Sequence, residues 1–377
     1  MLKNKTTLIL GAGASYHYGF PTGETLIREV CEEAKKFINL IEASKIPQHP
    51  FANNFTFQCF SNIYHGDTSP LPGGHYKHDE RRNKAAVLQQ EISTISEKII
   101  SLDPLNIDTF LRDQPSLQKI GTFLITLVLL KCESKCKKVP EKDYTQKKSN
   151  NPDTELGHWY RFLLHVLTTC DDTQALKNIF LNDQKLSIIT FNYDVSLEYH
   201  LYNSLKKIEK FQDVAASFMK NFSEKCIFHV YGALHTIQWD AEDPFSDFGT
   251  PYLSNNNDDD FKKKIQLAVK CSKNIQTIYA NKENPQKEQI VETIRNTKDL
   301  FILGFGFDDR NITELSGTSK NHDHGLREAL TRNNDQRVFM TNYNESKRIE
   351  NKIDRKNNRV VSPKNVYNAL MHDFNFI

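Results

Sequence analysis

The sequence predicts an α/β protein: a doubly wound parallel sheet carrying a large, mostly helical insertion. Two observations predict it. Short apolar runs bounded by polar loops occur at Thr6–Leu10 and, after a long gap, in LSIITFNYD, CIFHVYGAL, DLFILGFGFDD and RVFMTNYN, which begin at Leu186, Cys226, Asp299 and Arg337. They lack the alternation of half-exposed strands, so both faces must be covered, as in parallel sheets flanked by helices. Segments of helical period fill the gap and separate the later runs.

Thr6–Leu10 leads into GAGAS (Gly11–Ser15), a tight turn of small residues, and then into YHYGFPTG, a second small-residue loop. From Thr25 the segment TLIREVCEEAKKFINLIEA places Leu26, Val30, Ala34 and Ile38 on one stripe, which predicts a helix. Pro47–His78 is rich in Pro, Gly and His and reads as loops. Helical patterns return over Asn83–Ile100, Asp108–Cys132 and Trp159–Thr168. The Lys-rich stretch Lys135–Lys148, with Pro140 inside it, reads as a solvated linker; only Tyr144 interleaves as an aromatic, which argues against a nucleic-acid site. The run Asn255–Asp260, followed by Lys262–Lys264, reads as a surface loop. The expected organisation is a Rossmann-like core from residues 1–24 and 181–345, a mostly helical insertion over 25–180, and a C-terminal segment, 346–377, packed on the core.

A chain of 377 residues has room for two or three domains, or one large core with an insertion. Lys and Arg number 49 against 47 Asp and Glu, a formal net charge of +2 that supplies no global field for nucleic acid. The apolar run Leu8–Leu10 is too short for a signal peptide, and the longest apolar stretch, Ile120–Leu130, is about half the ~20 residues of a membrane span. No membrane association is expected. The seven cysteines are odd in number and scattered, which fits a reducing, cytoplasmic setting. Cys132 and Cys136 lie one helical turn apart, but no second pair completes a four-ligand zinc site, and no metal is expected. Ile120–Leu130 is apolar nearly all round a helix, so it must be buried in the core of the insertion or at an oligomer interface. A homo-oligomer, dimer or larger, is the expectation.

The chemistry-bearing residues gather after the strands. GAGAS, between a strand and a helix, has the composition of a phosphate-cradling turn, in which small residues let backbone N–H groups approach a pyrophosphate. As a dehydrogenase fingerprint it fails, because Tyr16 stands where the third glycine belongs; a plain tight turn explains it equally well. TFNYD (Thr190–Asp194) gathers polar side chains at the carboxyl end of a strand, where open α/β sheets bind ligands, and an Asn there can hold a sugar hydroxyl or a water. The same residues also suit a capped helix start running through Glu198. In GFGFDDRNI (Gly304–Ile312) the glycines allow close backbone approach, while Asp308 suits a helix cap and a ligand contact equally and Asp309 suits a cap better than a ligand contact.

GAGAS with GFPTG, TFNYD, HVYGAL and GFGFDDRNI, in that order, resembles the sirtuin superfamily, and most of all its bacterial branch associated with NAD-consuming phage defence. The resemblance implies that NAD is the substrate. By it, Ala12, Gly13, Ala14 and Ser15 contact the phosphates and ribose, and Asn192 and Asp194 face the nicotinamide ribose. Gly304, Phe305 and Gly306 pack against the dinucleotide, and Asn342, in the last strand, lies near the adenosine. Gly11, Pro21, Thr22, Thr190 and Phe191 belong to the same implied binding set. A further implication is a partner, a HerA-type hexameric ATPase.

The departures bear on mechanism. Protein-deacetylating sirtuins carry paired zinc cysteines after the Asn/Asp motif, whereas between Asp194 and His229 this chain has only Cys226. The family's catalytic histidine precedes the glycine that is Gly232 here, and Tyr231 fills that position. His229 is two residues earlier and, on a strand, points to the same face as Tyr231. A histidine is the natural general base near neutral pH, so Asn192, His229 and Tyr231 are the candidate catalytic residues, with His235, three residues past Gly232, as the other candidate base. The leading expectation is an NAD glycohydrolase releasing nicotinamide and ADP-ribose to deplete NAD in antiphage defence. The alternatives are acyl or ADP-ribosyl transfer to a protein and a non-catalytic NAD or ADP-ribose sensor.

Overall fold

The computed structural model describes residues 2–44, 78–104, 106–139, 157–249, 258–277, 284–319, 322–323, 325–331, 335–343, 359–374 and 376. Pro47 to Lys77 and the Lys-rich stretch beyond Val139 lie outside them. The chain divides into two compact units: residues 1–20, 136–246 and 281–377, and residues 21–135 and 247–280.

The first unit holds the sheet. Its strands are β1 (Thr6–Leu10), β2 (Leu186–Thr190), β3 (Ile227–His229), β4 (Asp299–Leu303), β5 (Arg337–Thr341) and β6 (Arg359–Ser362). They pair in the order β3-β2-β1-β4-β5-β6, every pair parallel. Every residue of β1, β2 and β4 is buried, which is why these strands read as continuous apolar runs. Polar groups on them are matched: Arg337 donates to the two oxygens of Asp299 at 2.6 and 2.7 Å from the register position opposite. The sixth strand comes from the C-terminal segment expected only to pack on the core, so Asn342 follows the penultimate strand of the sheet and not its last. Residues 136–180, assigned from sequence to the insertion, group with the sheet, and residues 247–280 group with the helices.

The second unit is helical, holding Gly23–Ser44, His78–Leu102, Ile107–Asp113, Asp258–Ser272 and the helix that starts at Gln118. The pattern read as one helix over Asp108–Cys132 is two. Pro115 bars its predecessor from helical backbone, and Gln114 sits at φ −129, ψ 65 before a short turn, Pro115–Leu117, and the helix Gln118–Cys136. The run expected as a loop over Asn255–Asp260 is helical from Asp258 onward, where consecutive acids suit a first turn. Ile120, Phe123, Leu124, Ile125, Leu127, Val128 and Leu130 are each at most 1% exposed. They are buried within the chain. Counted with its flanks, Pro115–Cys136 is long and apolar enough to cross a membrane, the one such helix among the described residues; its apolar side chains lie inside the protein.

Candidate active site at the switch point of the sheet

The strand order reverses between β1 and β4, and both glycine motifs lie at that point. GAGAS follows β1 and GFGF follows β4. The two turns are packed backbone to backbone. Gly11 N–H donates to Leu303 O and Gly13 N–H to Gly304 O, both at 3.0 Å, while Gly304 N–H donates to Thr341 Oγ1 at 2.8 Å. A β-carbon on Gly11 would stand 2.4 Å from Gly304 O, one on Gly13 2.9 Å from Gly304 Cα, and one on Gly304 2.2 Å from Ala14 N. Gly304 also has φ +60, the left-handed region that glycine enters without steric cost. Small residues are therefore required here for the two turns to touch. The N–H of Gly13 is used within the protein, on Gly304 O. Gly306 differs, since a β-carbon there would meet nothing within 4 Å. Behind the first turn, Trp159 Nε1–H donates to Ala14 O at 2.8 Å.

The polar residues after β2 are held against this pair of turns. Phe191 N–H donates to Leu10 O, extending the β1–β2 pairing by one residue. Thr190 Oγ1 accepts from Asn192 N–H at 3.0 Å, which turns the chain out of the strand. Asn192 Nδ2 donates to Gly11 O at 3.0 Å and to Ser15 Oγ at 2.8 Å. Because a carbonyl only accepts, Nδ2 must face Gly11, and Oδ1 is left as the amide's remaining hydrogen-bonding atom. Asn192 is half-buried.

Asp194 turns inward. It is 6% exposed; its Oδ1 accepts from Ser196 N–H at 3.2 Å and from the Ser196 hydroxyl, and the Ser15 hydroxyl bonds to the same carboxyl. Burial pushes its pKa up, and these hydrogen bonds offset part of the rise. Asp194 thus holds the N–H and hydroxyl of Ser196, the first residue of the helix Ser196–Leu205, and anchors Ser15. Tyr160, in the helix Tyr160–Thr168, completes the network through its hydroxyl, 2.8 Å from Ser196 Oγ.

β3 ends at His229. Gly232 N–H donates back to His229 O at 3.2 Å, and Gly232 has φ +83, so Val230 and Tyr231 form a turn. The expectation that His229 and Tyr231 share one strand face therefore does not hold. His229 points to the loop after β2: Nδ1 lies 3.1 Å from Asn192 O and Nε2 2.9 Å from Glu198 Oε1. Both nitrogens of the His229 ring lie within hydrogen-bond distance of oxygen atoms that can accept. Burial alone would lower its pKa; the Glu198 charge and hydrogen bond, the Asn192 carbonyl and the Asp194 charge outweigh that and raise it. Tyr231 donates to Asn311 Oδ1 at 2.9 Å. Its ring stands 5.6 Å from that of Phe191, which is 5.1 Å from Phe305, so aromatic rings link the loops after β2, β3 and β4. His235 is half-buried beyond that turn, after Leu234, whose N–H donates to Tyr193 O.

The structure thus brings together Gly11, Gly13, Ser15, Thr190, Asn192, His229 and Gly304, and beside them Phe191, Tyr231 and Phe305. Ala12 and Ala14 belong to the first turn of GAGAS. Pro21 and Thr22 open the helical unit, where Thr22 N–H donates to Thr25 Oγ1 at 2.8 Å at the start of the helix Gly23–Ser44. Asn342 is buried, and its N–H extends the β5–β6 pairing to Ser362 O at 2.7 Å. Asp308, not Asp309, is the cap of the helix Asp309–Glu314, accepting from Arg310 N–H at 3.0 Å. Sequence reasoning missed Glu198, Asn311 and Tyr160. Glu198 had a usable signal, an acid one turn inside a helix whose neighbours are apolar; the other two are joined to the site only by the fold.

A six-stranded parallel sheet in this order, with glycine turns after the two central strands and polar side chains at the carboxyl ends of their neighbours, is a Rossmann-like α/β fold. Residues 186–361 match the family model described as a SIR2-like domain. The match covers a little under half of the chain and is a likeness to sirtuin-like domains. It spans β2 to β6, so the central strand β1 and its GAGAS turn are supplied from outside the matched segment. No curated protein matches the chain.

Proposed function

We propose that this chain is an NAD glycohydrolase that releases nicotinamide and ADP-ribose. The observation that carries the proposal is the fixed amide of Asn192. Its Nδ2 is committed to Gly11 and Ser15, so Oδ1 is a rigid acceptor beside the switch point of the sheet, where this reading needs a positioned water. Nicotinamide is a cationic pyridinium while bonded to ribose and leaves neutral, taking the electron pair of the glycosidic bond. The ribose then carries positive charge, and water forms the new bond at the anomeric carbon before giving its proton to solvent. A strong base is not required. Orientation of the water and shielding of the cationic sugar carry the step. Asn192 supplies the first, and the rings of Phe191, Tyr231 and Phe305, whose faces attract cations, supply the second. The resemblance to the phage-defence branch extends the reading to NAD depletion, with a HerA-type ATPase as partner.

The test is incubation of the purified protein with NAD, followed by chromatography. Equal amounts of free nicotinamide and ADP-ribose are expected. ADP-ribose attached to protein would replace the reading with group transfer, and NAD that binds in calorimetry but is recovered intact would replace it with a sensor.

A further inference from the structure

We infer that Glu198 and His229 form a charged brace that holds Asn192 in place, His229 acting as a donor in two directions and Glu198 as its anchor. The inference deepens the hydrolysis reading and rests on it for the role of Asn192.

The geometry is specific. Asn192 is held on its side chain by Gly11 O and Ser15 Oγ and on its main chain by Thr190 Oγ1 and by the His229 ring. The carbonyl of Asn192 can only accept, so the Nδ1 that faces it at 3.1 Å carries a proton. The Glu198 carboxylate also accepts, so the Nε2 that faces it at 2.9 Å carries a second. A ring with both protons is a cation. Glu198 is 3% exposed; paired this way, neither charge is left alone in a buried setting, where an unpaired charge is costly. The ionised or polar groups that act on the ring are Glu198 from the helix Ser196–Leu205 and Asp194 and the Asn192 carbonyl from the loop after β2. All three favour the cation. Losing one proton leaves a single N–H for two acceptors, so either the Glu198 pair or the hold on Asn192 is given up. The brace is therefore intact below the pKa of His229 and released above it.

The direct test is a titration followed by NMR on the isotope-labelled full chain without substrate. The His229 ring is expected to titrate above its ordinary 6.5, the direction already given by its surroundings, and the Asn192 amide signals to move with the same midpoint. Glu198→Gln keeps an acceptor but removes the charge. It should lower both midpoints together by about one pH unit or more, and the alkaline limb of NAD cleavage should move down with them. His229→Gln should abolish the pH dependence of the Asn192 signals and cut kcat at least about tenfold with KM little changed. Asn192 signals that stay still while His229 titrates, or a His229 midpoint below 6.5, would overturn the brace; the wild-type titration decides this even if a variant fails to fold. Because the spectra need no turnover, a chain that titrates as expected yet releases no nicotinamide supports the brace and contradicts only the hydrolysis reading.

Discussion

The two glycine turns and the two polar strand ends sit side by side and do opposite kinds of work. In GAGAS and GFGF, Gly11, Gly13 and Gly304 lack side chains because each stands against the other turn, and their N–H groups are used within the protein. At the ends of β2 and β3 the polar groups also bond to one another, yet Asn192 keeps an amide oxygen after its two donations. A glycine motif can therefore mark a switch point through its own packing, while the acceptor for chemistry sits one strand away. In the proposed reading, small residues locate the site and the fixed amide of Asn192 acts in it.

If that division is right, the largest structural effect belongs to Gly304. Gly304→Ala combines a left-handed backbone with a clash against Ala14, and should cost about 3 kcal/mol or more in denaturant unfolding. Asp194 comes next. Asp194→Ala removes the shared acceptor of Ser15 and Ser196 and should cost about 2–3 kcal/mol, whereas Asp194→Asn, which keeps an acceptor, should cost clearly less; equal losses would point to a role outside the hydrogen-bond network. Asp308→Ala should cost about 1 kcal/mol by melting its short helix start. Gly306→Ala should fall within about 0.5 kcal/mol, since its β-carbon meets open space. A Gly306 variant as damaged as Gly304→Ala would erase the distinction drawn between the two glycines. Stability should also depend on pH through His229. Its folded pKa is raised above 6.5, so its contribution is full below pH 6.5 and is lost as pH rises through the raised value.

The sheet was largely legible in the sequence because strands buried on both faces are written in unbroken apolar runs, and β1 to β5 stand where those runs lie. β6 was not, since RVVS is half exposed and too short to separate from a surface segment. Helix ends are less legible: the helical period runs on through Pro115, which nonetheless divides the segment. In the site, TFNYD and the glycine turns announced themselves by residue type. Their roles did not, because the clash that demands Gly13 comes from Gly304, nearly three hundred residues away in the chain. The occupied state of the His229 ring likewise depends on Glu198 and on a backbone carbonyl, and a carbonyl has no signature in sequence.

Asn192→Ala tests the central claim most directly, measured for NAD cleavage, NAD affinity and unfolding midpoint on one preparation. Loss of a positioning group should lower kcat by about a hundredfold or more, with calorimetric affinity within a few-fold of wild type and the fold retained. Cleavage within a few-fold of wild type in a folded Asn192→Ala variant would contradict the account and place the chemistry elsewhere.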